Sequence, residues 1–166
     1  MIHTIESFMY EVSNIFLIPV LLTIILLFIY ALFQSGVFAT QLLRRRYSRG
    51  GGSLGVSEYA KEHNITNSDD LELYAFKKLE TIFIATRVAP MLGLVATMIP
   101  LGPAFMALSQ GNIADVSSNL IVAFSAVIFS LLSASITFVI ASLRKGWYAS
   151  EIREYLKGSE DETFAR

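Results

Sequence analysis

Three stretches of the chain are apolar and free of Asp, Glu, Lys, Arg and His, and they set its organisation. The first, Ile15 to Phe33, holds nineteen residues; a helix needs about 20 to cross the hydrocarbon of a bilayer. The second runs from Val88 to Leu108 and the third from Asn119 to Leu143. Only the polar break Ser109–Ser118 separates them, so Ala89–Ala141 reads as a helical membrane hairpin. The pattern predicts an all-α, polytopic membrane protein with three transmembrane helices.

The three runs differ in side-chain size. The first is bulky on every side, with Ile, Leu and Phe interrupted by Pro19, Thr23 and Tyr30. Lacking a small-residue face for close packing, it reads as an outer, lipid-exposed helix. In the second, Ala89, Gly93 and Thr97 fall at i, i+4 and i+8, a ridge over which another backbone can approach closely. Further along, Pro100 and Pro103, on either side of Gly102, join Pro90 as expected helix breaks, leaving an irregular end buried against protein. On a wheel of the third run, Ser118, Ser125, Ser130, Ser133 and Thr137 share a broad face with Ala123, Ala126 and Ala141. Leu120, Ile121, Phe124, Ile128, Leu131, Phe138 and Val139 take the other face, and Ser135 sits among them.

Outside the runs, Val56–Asn64 predicts a short helix and Ser68 or Asp69 the cap of a long one. Leu71, Ala75, Leu79, Ile82 and Phe83 lie on one face of that second helix, and nothing interrupts it before Pro90. It is expected to run from the cytoplasm into the second span. After the third run, Arg144, Lys145, Trp147 and Tyr148 form an interfacial signature. An amphipathic helix follows to Leu156, and then a frayed acidic tail, Gly158–Arg166. The expected organisation is 1–40, 41–85, 86–143 and 144–166: first span, cytoplasmic loop with helices, hairpin, and C-terminal helix with tail.

Charge orients the hairpin. All thirteen Lys and Arg residues lie in 44–87 or 144–166. By the positive-inside rule the N-terminus and the hairpin loop are outside, and 41–85 and the C-terminus are in the cytoplasm. Arg44, Arg45, Arg46 and Arg49 act as the stop signal, Gly50–Gly52 as a flexible joint, and Arg87 as a surface anchor. The opening residues lack the positive region and cleavage site of a secretory leader. The expected location is the plasma or inner membrane.

Composition narrows the chemistry. Charged residues make up 16%, against about a quarter in soluble domains. There is no cysteine, and His3 and His63 lie far apart outside the spans, which disfavours a metal centre. No base stands near any serine nucleophile, so an enzyme is disfavoured, and the arginine cluster reads as a topology signal rather than as a site for nucleic acid or anionic lipid. The hydroxyls of the third run have two readings: bonds to their own i−4 carbonyls that permit tight packing, or a polar interior shared between subunits or with a partner helix. Proton relays use intramembrane Asp, Glu or His; these spans have none, so a titrating group must come from another chain.

Ala89-Pro90-x-x-Gly93-Leu94-x-x-Thr97, followed by Phe105 and a Ser/Thr- and Ala-rich third span, resembles the MotA/TolQ/ExbB proton-channel family. The phrases IPLGPA, GNIADVSSNLIVAF and RKGWY are similar to compact archaeal-type members, and the three-span plan to the TolQ/ExbB branch. The resemblance implies a homopentamer whose second and third spans line a pore, with Thr97 matching the family's pore threonine; Ser125, Ser130, Ser133 and Thr137 are then expected to line the pore beside it, and Ala89, Gly93 and Gly102 to pack the helices. Inside would sit the single spans of a MotB/TolR/ExbD-like partner carrying a membrane Asp. The ion would be H+ or Na+, with no cofactor. Val122 stands where TolQ/ExbB-type members carry a glutamate, and Val127 where they carry a pore threonine. A non-conducting membrane scaffold is the alternative.

Overall fold

The computed structural model describes residues 2–47, 54–63, 65 and 67–164, with the side chains of 2–10, 13, 14, 46 and 159–164 left out of the description. These residues form four α-helices and no strand: α1 Ile2–Tyr47, α2 Val56–Glu62, α3 Ser68–Ser109 and α4 Ile113–Phe164. The glycine joint at Gly50–Gly52 lies outside the described residues.

α1, α3 and α4 are each long and apolar enough to cross a membrane. With 42 and 52 residues, α3 and α4 exceed the need of one span. At 1.5 Å per residue they reach roughly 63 and 78 Å, about 2 to 2.6 times the hydrocarbon thickness. The protein is a multi-pass membrane protein.

Two compact units divide the chain. One comprises Met1–Phe33 and Ala85–Ile136. Its core joins Ile24 of α1, Ala96 of α3 and Ala126 of α4, with Val20, Leu21 and Leu92 packed around them. Phe28 meets Phe129 edge-on at 5.0 Å. Along this part of α1 the bulky chains Ile15, Phe16, Ile18, Leu22, Ile25, Leu26 and Ile29 stay exposed, as the absence of a small-residue face predicts.

The expected ten-residue loop shrinks to a turn, Gln110–Asn112. Gly111 adopts φ 73°, a left-handed conformation that glycine enters without a Cβ clash. Its N–H bonds the Leu108 carbonyl at 3.0 Å, and the Asn112 N–H bonds Ala107 at 2.9 Å, the two links of a Schellman ending. Asn112 then caps α4, its Oδ1 accepting the Asp115 N–H at 3.3 Å. The polar residues 113–118 read as loop in the sequence because helix-terminal and loop compositions coincide.

The prolines also depart from expectation. Pro90, Pro100 and Pro103 all lie inside α3, which continues past them to Ser109. Each proline removes one ladder bond, a loss that membrane helices tolerate when neighbours cover the freed groups. Pro100 is buried, whereas Gly102 is exposed and a Cβ added there would meet nothing within 4 Å.

The other unit comprises Gln34–Ile84 and Thr137–Arg166. Its core is Val56 and Ala60 of α2, Leu71, Ala75 and Leu79 of α3, and Tyr148 and Ile152 of α4. The predicted face of α3 is therefore the packed one. The cap of α3 falls on Asn67 rather than on Ser68 or Asp69: its Oδ1 accepts the Asp69 N–H at 3.3 Å. Tyr148, expected as an interfacial anchor, is 8% exposed in this core, while Trp147 is half-buried. The tail expected to fray from Gly158 continues α4 to Phe164.

Candidate functional site

The hairpin of α3 and α4 holds the candidate residues. Ala89, Gly93, Ala96, Pro100, Ala104 and Ala107 form the buried stripe of α3, and Ala123, Ala126 and Ser130 face the same packing on α4. Small residues on both sides let two backbones approach, which is how membrane helices gain packing without a hydrophobic driving force.

The closest approach is at Gly93. A Cβ built there would clash with Ser130 Oγ and lie 2.8 Å from Ser130 Cβ. Only glycine leaves room for the serine. In that notch Ser130 Oγ donates to the Ala89 carbonyl of α3. Ser130 is 1% exposed, so water and lipid are excluded from this bond. The ridge predicted from Ala89 and Gly93 receives α4 of the same chain.

The other hydroxyls behave differently. Ser133 is buried and donates to its own Phe129 carbonyl at 2.7 Å; Ser135 is exposed and donates to Leu131 at 2.8 Å. Thr97 is half-buried and donates to Leu94 at 2.7 Å. Thr137 is 1% exposed. Ser118 and Ser125 are exposed, on the flank of α4 that also carries Val122. The five α4 hydroxyls thus do not share one surface. Three lie in the chain's interior and two face outward. Val127 is half-buried beside Gly93, its Cα 3.8 Å from the position of an added Cβ.

The hairpin spans hold no ionisable side chain. Asp115, the nearest acid, is exposed in the first turn of α4 and accepts from Asn112 Nδ2 at 2.6 Å. What the spans offer is hydroxyls, carbonyls and small-residue clearance. Such a surface can flank the path of an ion or the helix that carries its binding group.

Beyond the spans, sequence reasoning missed Glu151. Its two carboxylate oxygens accept the N–H groups of Leu54 at 2.8 Å and Val56 at 3.2 Å. This holds the entry to α2, whose N-cap Gly55 has no side chain to do so. Nothing in a single sequence links residues 97 positions apart. Tyr59 stacks on Tyr74 at 4.1 Å in the same unit. Burial raises the Tyr148 phenol above its ordinary value of 10.0; Tyr74 adds to the rise, Arg144 opposes it and Glu151 adds again.

Residues 54–156, covering α2, α3 and most of α4, match the MotA/TolQ/ExbB proton channel family. No curated protein and no solved structure matches the chain.

Proposed function

Since the chain belongs to the MotA/TolQ/ExbB proton channel family, a membrane ion-channel family, we propose that it is the ion-channel stator subunit of a membrane motor driven by a proton or sodium gradient. Copies of the chain, five in the expected assembly, surround the single spans of a MotB/TolR/ExbD-like partner. The complex sits in the cell membrane with the N-terminus and the Gln110–Asn112 turn outside.

The observation that carries this reading is the family match over a hairpin whose spans are uncharged and retain outward-facing hydroxyl positions. Ser125 and Ser118 lie exposed on α4, and Thr97 is half-exposed on α3. With no Asp, Glu or His in the spans, the acid that binds the ion is the partner's membrane Asp. Ser130 ties α4 to α3 from within the subunit, Ser133 and Thr137 are buried there, and the exposed hydroxyls meet the lumen.

The test is proton flux through the chain reconstituted with its single-span partner. Thr97→Val combined with Ser125→Ala lowers flux about tenfold, the effect of ~1.4 kcal/mol on a barrier. Unchanged flux refutes the lumen assignment.

A non-conducting scaffold is the second reading, and one observation favours it. Val122 is exposed on the same flank as Ser125, where the resemblance leads to a glutamate. A reconstituted complex with a dry centre, no partner helix and no flux supports the scaffold.

A further inference from the structure

Positive charge gathers where α1 and α4 leave their uncharged stretches. Arg44 is the first charged residue after Glu11, and Arg144 the first after Asp115. Between Gln34 and Ser57 the chain has Arg44, Arg45, Arg46 and Arg49 and no Asp or Glu. Between Thr137 and Ser150 it has Arg144 and Lys145, again with no Asp or Glu.

The C-terminal part of α1 and the turn 144–147 of α4 are in contact. Phe38 stacks on Trp147 at 5.2 Å with 11° between the rings, and the Arg45 guanidinium lies 4.3 Å from the Trp147 ring centroid. Arg144 donates from Nη1 to the neutral amide of Gln34 at 3.3 Å, and its Nε is buried with no hydrogen-bond partner. The next acid along α4, Glu151, uses both carboxylate oxygens on the amides of Leu54 and Val56. Arg44 and Lys145 are exposed.

We propose that the C-terminal part of α1 and the turn 144–147 of α4 form a docking site for the headgroup of an anionic phospholipid, with Arg44 and Lys145 meeting its phosphate beside Trp147. Charge complementarity selects an anion. The position selects a lipid: a basic cluster directly after an uncharged span lies at headgroup depth, and an aromatic residue there occupies the interface. The site does not depend on ion conduction, so a complex without flux leaves it standing.

The experiment uses the full chain in neutral detergent, titrated with dioctanoyl phosphatidylglycerol, dioctanoyl phosphatidylcholine or inorganic phosphate. Emission of Trp147, the only tryptophan, and lipid adducts in native mass spectrometry are read together. Phosphatidylglycerol is expected to give a saturable response and retained adducts, and the other two neither. Arg44→Gln with Lys145→Gln weakens that binding about 25-fold, roughly fivefold per charge. The charge-keeping pair Arg44→Lys with Lys145→Arg retains it, which separates lost charge from lost folding. An equal response to phosphatidylcholine or to phosphate alone overturns the proposal, as does undiminished phosphatidylglycerol binding by the neutralised variant.

Discussion

Gly93→Ala puts the hairpin seam to a direct test. The new methyl would clash with Ser130 Oγ and lie 2.8 Å from Ser130 Cβ, so α3 and α4 must separate locally or Ser130 must leave its notch. Overpacking of this kind costs about 1–3 kcal/mol. Either response also breaks the bond from Ser130 to the Ala89 carbonyl. Interhelical hydrogen bonds in membrane proteins average about 0.6 kcal/mol and reach roughly 1.7. Replacing a helical glycine by alanine returns about 1 kcal/mol of intrinsic propensity. Steric cost exceeds that gain, and the net expected loss is about 2 kcal/mol. The assay is equilibrium unfolding in mixed micelles of rising SDS fraction, read by limited proteolysis of the hairpin. The informative control is Gly93→Ala with Ser130→Gly, which removes the clash while still lacking the hydroxyl. It should recover the steric part and fall short of the parent. A Gly93→Ala variant as stable as the parent, or a double variant no better than the single one, refutes the notch.

The remaining predictions address other contacts. Ser130→Ala should lower stability in the same assay by about 0.6–1.7 kcal/mol, whereas Ser135→Ala should leave it within ~0.5 kcal/mol, since Ser135 is exposed and bonds its own helix. Glu151→Gln replaces a charged acceptor by a neutral one at the Leu54 and Val56 amides; hydrogen exchange should quicken over 54–62 by up to about tenfold for each ~1.4 kcal/mol lost. Tyr148 gives a pH dependence. Its folded-state value lies above 10.0, so above that pH the unfolded chain releases a proton that the folded chain keeps. The stabilisation is complete below pH 10 and is lost as pH rises towards the folded-state value. Thermal unfolding across this range should show the decline, and Tyr148→Phe should flatten it.

Sequence alone determined the helices and which of them cross the membrane. Uncharged length is a requirement of the bilayer itself, so Ile15–Phe33, Val88–Leu108 and Asn119–Leu143 declare themselves without any tertiary contact. The packed face of α3 was legible for the same kind of reason, because Leu71, Ala75, Leu79 and Ile82 repeat at helical spacing. The family resemblance was likewise carried by residues in one segment.

The division of the hydroxyls was decided by the tertiary structure. A wheel gathers Ser118 through Thr137 onto one broad face, yet at about 100° per residue Ser125 lies roughly 140° from Ser130. The strip on which two helices touch is narrower than that, and its position depends on rotation about the axis, which periodicity leaves free. The tight turn at Gly111 and the fit of Ser130 into the space at Gly93 set that rotation. Glu151 and Tyr148 follow the same rule: their partners Leu54, Val56 and Tyr74 lie far off in the sequence and are brought near by the packing of α2, α3 and α4. Local pattern fixes what a segment is, because bilayer and helix act on neighbours in sequence. Which hydroxyl locks the hairpin and which faces outward depends on pairs of side chains that only the packed helices bring together.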